Sequence, residues 1–84
     1  MIKQVTAALE MMAEDTSVPR NIRRGAASAR ETLTKDGQAI DVSVASAIFI
    51  LDELANDPNI PLHGRTQIWS IISHLEQINA ALKK

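Results

Sequence analysis

The sequence has no cysteine and no tyrosine, and its aromatic residues are one phenylalanine and one tryptophan. The absence of cysteine excludes disulfides and thiolate chemistry, and a cytoplasmic location is the simplest interpretation. Because aromatic residues make up 2% and hydrophobic residues 45% of the 84 positions, the core must be built from aliphatic side chains. A chain of this length forms one domain, so we expect a single domain over residues 1–84.

Glycine-rich loops and long hydrophobic runs are also missing. The three glycines stand apart, so there is no glycine-rich phosphate-binding loop. The longest strongly apolar run, residues 42–51, is far shorter than the ~20 residues of a membrane-spanning helix. The N-terminal residues have helical periodicity instead of the charged-then-apolar order of a signal peptide. We therefore expect no membrane association.

Apolar residues recur at three- and four-residue steps in four segments. This pattern predicts four helices, at about 2–14, 18–35, 41–56 and 60–82. Strand-like alternation is absent, so the fold class should be all-α with the helices in up-down order.

The third helix is apolar or small on nearly every side through its first ten residues. A helix of this kind should be central, and its surplus apolar residues Val42, Phe49 and Ile50 would suit a dimer contact. Trp69 lies one residue off the main apolar stripe of the fourth helix. The favoured interpretation places its ring in the core, and the alternative is a partly exposed interface anchor.

The two halves of the chain are similar at an offset of 42 residues. The turn sequence DTSVP at 15–19 recurs as DPNIP at 57–61, and the apolar positions on either side also match. Residues 1–42 and 43–84 are then two copies of a helical hairpin. Two units are fewer than an open solenoid needs, so we expect the hairpins to close into a four-helix bundle.

Each half resembles a HEAT repeat, in which an acidic turn residue is followed by an arginine in the first turns of the next helix. In HEAT repeats these two residues commonly pair. The resemblance therefore implies a structural latch in each turn, formed by Asp15 with Arg23 and by Asp57 with Arg65.

A resemblance that covers almost the whole chain is carried by the strings DTSVPRNIRRGA and IFILDELANDPNIPLHGRTQIW. They are similar to segments of a family of small uncharacterised archaeal proteins of about this length. The resemblance implies a compact all-helical domain and no assigned activity. The chain departs from the family in a less acidic linker at 35–40 and at Gly25 and Gly64, where alanine is more usual.

Charge is segregated along the chain. Residues 19–35 contain five basic residues and one acidic residue, a net charge of +4, whereas residues 41–57 contain four acidic residues and no basic one. The favoured interpretation is that the two segments neutralise each other. The alternative is a patch for nucleic acid or another phosphate-bearing partner near the start of the second helix, formed by Arg20, Arg23, Arg24 and Arg30.

No catalytic or metal-binding motif is present. His63 and His74 are about three helical turns apart and cannot share one metal ion, and no pair of carboxylates is singled out by its spacing. We expect no enzymatic activity, no cofactor and no metal. The sequence favours a helical protein–protein interaction module, either a homodimer or a subunit of an assembly, and the alternative is a nucleic-acid accessory protein.

Overall fold

The computed structural model describes residues 2–82, which form four α-helices joined by short turns. The helices are α1 (Ile2–Glu14), α2 (Arg20–Thr34), α3 (Ile40–Ala55) and α4 (Leu62–Leu82). The predicted all-α fold class and the number of helices are confirmed.

The helices α2 and α4 begin two residues later than predicted. Val18 and Ile60, where the sequence pattern placed the starts, belong to the preceding turns, and their N–H groups donate to the carbonyls of Asp15 and Asp57 at 3.3 and 3.2 Å. Each helix then starts directly after a proline. Proline suits this position because its ring sets φ and the missing N–H would have no helical partner.

The bundle is closed, and neighbours in the chain are neighbours in space. α2 packs against α1 and α3, α3 packs against α4, and α4 returns to make a looser contact with α1. The equivalent helices of the two hairpins lie diagonally across the core and do not stack on each other. The hairpins therefore form the expected closed bundle, with principal extents of 37 × 21 × 19 Å.

The core of residues 2–82 is aliphatic apart from one methionine. Its buried residues lie on one stripe of each helix, including the four α2 residues at positions 22, 26, 29 and 33. All four helices contribute to the largest fully buried side chains, which are Leu9, Ile22, Val44, Leu51, Ile68 and Leu75. The two aromatic rings are left outside this core.

Side-chain packing between α2 and α3 is tight at Gly25. A Cβ atom at this position would lie 2.5 Å from both terminal methyl carbons of Leu54 and 2.8 Å from its Cγ. Leu54 therefore occupies the space that a side chain at position 25 would fill. Glycine inside a helix costs about 1 kcal/mol relative to alanine, and here it allows the two helices to pack closely.

Replacing Gly25 by alanine should lower the free energy of unfolding by about 1 kcal/mol, because overpacking costs roughly 1–3 kcal/mol and the gain in helix propensity is smaller. In a Leu54→Ala background the steric conflict is gone, so the same replacement should raise the free energy of unfolding by up to about 1 kcal/mol. Urea denaturation of the four proteins measures both changes. The same sign in both backgrounds would show that Leu54 does not limit position 25.

Candidate functional site

Each hairpin has one turn between its helices, and the two turns have equivalent hydrogen bonds. In the first, the side chain of Asp15 accepts from the backbone N–H of Ser17 at 2.9 Å, and in the second, Asp57 accepts from the N–H of Asn59 at 2.8 Å. A carboxylate that bonds the amide two residues ahead stabilises a tight turn. The aspartate of each turn thus has the same local role.

Asp15 also belongs to a small polar cluster at this end of the bundle. The Ser17 hydroxyl donates to Asp15 Oδ1 at 2.6 Å and lies 3.0 Å from Nε2 of His63, in the first turn of α4. The same histidine nitrogen is 4.0 Å from Asp15 Oδ2. We call Asp15, Ser17 and His63 the turn cluster; it connects the first turn to the second hairpin.

An equivalent connection runs in the opposite direction. Asp57, in the second turn, accepts a hydrogen bond from the side-chain amide of Asn21, in the first turn of α2. Positions 21 and 63 differ by 42 residues, as do positions 15 and 57. Each turn aspartate therefore contacts the start of the second helix in the other hairpin, and the two hairpins are joined reciprocally.

The expected latch pairs do not form as ion pairs. Within residues 2–82, the carboxylates of Asp15 and Asp57 have no guanidinium nitrogen of Arg23 or Arg65 within 4.0 Å. Asp57 accepts one hydrogen bond on each oxygen, from Asn59 and Asn21, whereas Asp15 accepts two on Oδ1, both from Ser17. Arg23 acts on Asp15 only through its charge, and its buried Nε has no hydrogen-bond partner.

The surroundings of Asp15 stabilise its ionised form. The Ser17 hydroxyl and then the Ser17 N–H lower the pKa of Asp15 below its ordinary value of 3.8, with smaller contributions from the charges of His63 and Arg23 and partial opposition from burial. These hydrogen bonds favour the carboxylate because it is the acceptor.

The turn cluster is not arranged as a nucleophilic triad. A serine hydroxyl has one proton, and here Ser17 donates it to Asp15. His63 Nε2 must then be the donor in its 3.0 Å contact with Ser17. A nucleophilic serine instead donates to its histidine, which acts as a base. The cluster therefore acts as a polar connection between hairpins, and Ser17 is not primed for attack.

The structure divides the predicted arginine patch. Arg30 lies beside Glu10 of α1, with its Nη2 3.2 Å from Oε1, and Arg23 lies near Asp15. Arg20 and Arg24 are exposed and make no ion pair within residues 2–82. No ion pair within that range joins the basic segment 19–35 to the acidic segment 41–57. The two segments lie next to each other, as expected, because α2 packs against α3, but they are not joined by ion pairs.

A groove lies along the loose contact between α1 and α4. Its volume is about 460 Å³, and a recess of about 100 Å³ continues it towards His74. The groove is lined by Ala8, Met11, Met12, Asp15, Gln67, Ser70 and Ile71. Gln67 and Met12 are equivalent to Gly25 and Leu54 at the offset of 42. Glycine leaves space for Leu54 between α2 and α3, whereas Gln67 lines the groove between α4 and α1.

The predicted interface residues do not all have the same exposure. Phe49 is 65% and Val42 46% exposed, whereas Ile50 is half-buried and packs against the core. Trp69 is 49% exposed, so its favoured interpretation as a core residue is wrong. Position 69 lies at the edge of the buried stripe of α4, from which its large ring extends over the outside of the bundle.

Phe49 and Trp69 lie on one outer face of the bundle. Nine residues in a helix correspond to two and a half turns, which places two side chains on opposite sides. Ala45 is therefore opposite Leu54, which packs on α2, and Leu62 is opposite Ile71, which lines the α1 side. The exposed residues within about 60° of these directions form what we call the α3/α4 outer face: Asp41, Val42, Ala45, Phe49, Asp52, Leu62, Arg65, Thr66, Trp69, Ser73, Glu76, Gln77 and Ala80.

Within residues 2–82 there is no group of three or more His, Asp or Glu side chains that could hold a metal ion. No helix in that range is long and apolar enough to cross a membrane.

The chain is similar to proteins of known sequence and structure along most of its length. Residues 1–78 match the model of an uncharacterised protein family, UPF0147. The chain belongs to the UPF0147 family. The UPF0147 protein of Methanocaldococcus jannaschii is 53% identical over 78 residues, which are 93% of this chain and 84% of that protein. The UPF0147 protein of Thermococcus kodakarensis is 46% identical and is covered over 95% of its length.

Solved structures share the fold. The crystal structure of a UPF0147 protein from Thermoplasma acidophilum has a TM-score of 0.87 and 39% identity, and the match covers 89% of this chain and 88% of that one. A second crystal structure, of a protein of unknown function, has a TM-score of 0.86 and 48% identity, with 89% and 85% covered. The expected membership of a small archaeal all-helical family is confirmed.

Sequence reasoning missed three features of this UPF0147 chain. The contact of Ser17 with His63 joins residues 46 positions apart, and no local pattern indicates it. The groove could have been anticipated from the repeat, because position 67 has glutamine where position 25 has glycine. Leu62, which directly follows Pro61, was also missed; the structure shows that it is 78% exposed.

Replacing Ser17 by alanine should raise the pKa of Asp15 towards 3.8, because the hydroxyl is the largest cause of its lowering. The matched control, His63→Ala, should raise the pKa of Asp15 less, because the charge of His63 is a smaller cause of its lowering. Carbon-detected NMR titration of the Asp15 carboxyl measures both shifts.

The same replacement makes a prediction about stability. Because the pKa of Asp15 is lower in the folded state, its contribution to stability is present above pH 3.8 and is lost as the pH falls through the folded-state pKa. The stability difference between the wild type and Ser17→Ala should therefore shrink in acid. An equal difference at about pH 7 and about pH 2 would contradict this account.

Proposed function

We propose that this UPF0147 chain is a non-enzymatic helical interaction module that forms a homodimer through the α3/α4 outer face. The face has three large apolar side chains outside the core, on Phe49, Leu62 and Trp69, with exposures of 65%, 78% and 49%. Aromatic residues are enriched in the buried centres of protein interfaces. In this chain both aromatic residues lie on the same outer face.

The first hairpin supplies the observation that carries the proposal. At the equivalent positions it has Ala7 for Phe49, Ala27 for Trp69 and Arg20 for Leu62, and all three are exposed. The same fold is thus built with small or charged residues at these positions. Folding of the hairpin does not require the large apolar residues of the second copy, which supports a role in association.

The three large apolar side chains of the α3/α4 outer face favour a second copy of the chain as the partner. In a two-fold dimer each interface residue occurs twice, once on each protomer. Full burial of a large apolar side chain contributes about 1.5–3 kcal/mol. Three exposed side chains on each protomer therefore provide six such contacts. The small exposed residues Ala45 and Ser73 on the same face leave room for close approach of another helix.

The turn cluster agrees with a non-enzymatic role, because Ser17 donates its proton to Asp15 and is not activated by His63.

A nucleic-acid accessory role is favoured by one observation, the two exposed arginines Arg20 and Arg24 without ion pairs in residues 2–82. Two cations are few for this purpose, since each phosphate contact on duplex DNA adds only about 0.9 to the salt slope. The pI near 6.0 also disfavours it.

Light scattering on a size-exclusion column tests the dimer. The wild type should have twice the chain mass of 9.2 kDa at high micromolar concentration, and Phe49→Ala/Trp69→Ala should have the mass of one chain. The variant should fold, because alanine occupies the equivalent exposed positions 7 and 27. Met11→Ala is the matched control, since Met11 is 74% exposed but borders the groove, and it should leave the dimer intact.

A wild-type protein that stays monomeric throughout this concentration range would refute the proposal. So would a double alanine variant that remains fully dimeric.

The nucleic-acid alternative makes its own prediction. Filter binding to single- and double-stranded oligonucleotides at low and physiological salt should show no retention if the dimer proposal is right. Salt-dependent retention that Arg20→Ala/Arg24→Ala abolishes, and that Phe49→Ala/Trp69→Ala preserves, would favour the nucleic-acid role instead.

A further inference from the structure

We propose that the groove between α1 and α4 binds a small organic cation, a primary amine on an elongated apolar body, with its ammonium group at Asp15. The groove lies on a different side of α4 from the α3/α4 outer face, so the site is separate from the proposed dimer contact. Its volume of about 460 Å³ is within the range of about 300–1,000 Å³ that is usual for small-molecule sites.

The groove is elongated along the helices. On α1 its lining runs from Asp15, beside the first turn, to Ala8, seven residues earlier, which is about 10.5 Å along a helix. The recess continues in the same direction to Gln4 on α1 and His74 on α4. A ligand that fills the groove is therefore long and narrow, with one end beside the first turn.

The middle of the groove is apolar at its base and adaptable at its edge. Met12 and Ile71 are 2% and 6% exposed and form the base, whereas Met11 is 74% exposed at the edge. Methionine is unbranched and polarizable, so its side chain adjusts to the shape of a bound molecule. A ligand that lies over Met12 and Ile71 would also contact the Met11 side chain. These contacts suit an alkyl chain or another apolar body.

The charge of the groove lies at the end beside the turn. Among the lining residues within 2–82, Asp15 is the one with a charged side chain. Both hydrogen bonds from Ser17 end on Oδ1 of Asp15. Within residues 2–82 its Oδ2 accepts no hydrogen bond, and the Nε2 atom of His63 is 4.0 Å away. Because a carboxylate oxygen is an acceptor, Oδ2 is available to a donor on a ligand.

The groups around Asp15 favour a cation as that donor. The Ser17 hydroxyl and then the Ser17 N–H hold the pKa of Asp15 below its ordinary value of 3.8, so the carboxylate is ionised near neutral pH. The charges of His63 and Arg23 act on Asp15 as well, but neither side chain donates a hydrogen bond to Oδ2. A primary ammonium group has three N–H donors, and its hydrogen bonds to a carboxylate are stronger than those between neutral groups.

The equivalent turn of the second hairpin lacks both features of the site. Each oxygen of Asp57 accepts a hydrogen bond, from Asn59 and Asn21. In the contact between α2 and α3, Leu54 occupies the space beside Gly25. A free carboxylate oxygen beside an open apolar groove is thus specific to the first turn, and Asp57 serves as a matched control for Asp15.

Titration with hexylamine and hexanol tests the site. The two probes have the same apolar chain, and near neutral pH only hexylamine is charged. In methyl NMR spectra of the wild type, hexylamine should shift the signals of Met11, Met12 and Ile71. It should bind about 5-fold more tightly than hexanol, because a partly exposed charge pair adds a modest attraction.

Substitution of the turn aspartates tests the role of the charge. Asp15→Asn keeps a side-chain oxygen for the hydrogen bonds of the turn but removes the charge, so it should bind hexylamine about 5-fold more weakly than the wild type. Asp57→Asn makes the same change in the other turn and should leave hexylamine binding unchanged. Urea denaturation checks that both variants are folded.

A second pair of variants tests the position of the apolar body and does not depend on the turn. Ala8→Phe places a ring in the groove and should remove the shifts caused by either probe. Phe49→Ala/Trp69→Ala changes the α3/α4 outer face instead, and it should bind hexylamine as the wild type does.

Equal affinities of the wild type for hexylamine and hexanol would overturn the proposal, as would an absence of shifts with either probe at about 10 mM. Shifts outside the groove, or an equal loss of affinity in Asp15→Asn and Asp57→Asn, would also overturn it. If the Met11 signal shifts with protein concentration when no probe is present, a second copy of the chain covers the groove and the cation site is wrong.

Discussion

The structure depends on a constraint at each turn, where one carboxylate serves two purposes. Asp15 uses one oxygen to hold the backbone amide of Ser17, and Asp57 does the same with Asn59. Their second oxygens face His63 and Asn21 in the opposite hairpin. A carboxylate can do both because each of its oxygens accepts independently. Formation of the turn and closure of the bundle therefore depend on the same side chains.

The two hairpins are joined by equivalent contacts at their turns, but the α2/α3 and α1/α4 contacts differ in how tightly they pack. Along α2 and α3, the absence of a side chain at Gly25 lets Leu54 enter. Along α4 and α1, Gln67 occupies the equivalent position and a groove of about 460 Å³ remains. The turns of the two hairpins are thus joined by equivalent contacts, whereas the helix contacts between the hairpins differ at the equivalent positions 25 and 67.

The sequence predicted what depends on periodicity and missed what depends on distant contacts. The four helices were predicted from the spacing of apolar residues and are observed, because that spacing determines which side of a helix faces the core. The pairing of Asp15 with Arg23 was taken from a family resemblance and failed, since closer donors occupy the carboxylate. Trp69 was predicted to lie in the core, but it is one residue off the main apolar stripe of α4 and is 49% exposed.

The internal repeat separates residues that the fold needs from residues that it does not. Most positions buried in one hairpin are apolar in the other, as with Leu9 and Leu51 or Leu33 and Leu75, because both copies contribute to one core. Exposed positions are under no such demand, and there Phe49 replaces alanine. A large exposed ring brings no packing energy to the monomer, since water remains on most of its surface. The first hairpin has Ala7 at the equivalent exposed position, so the scaffold forms without the ring.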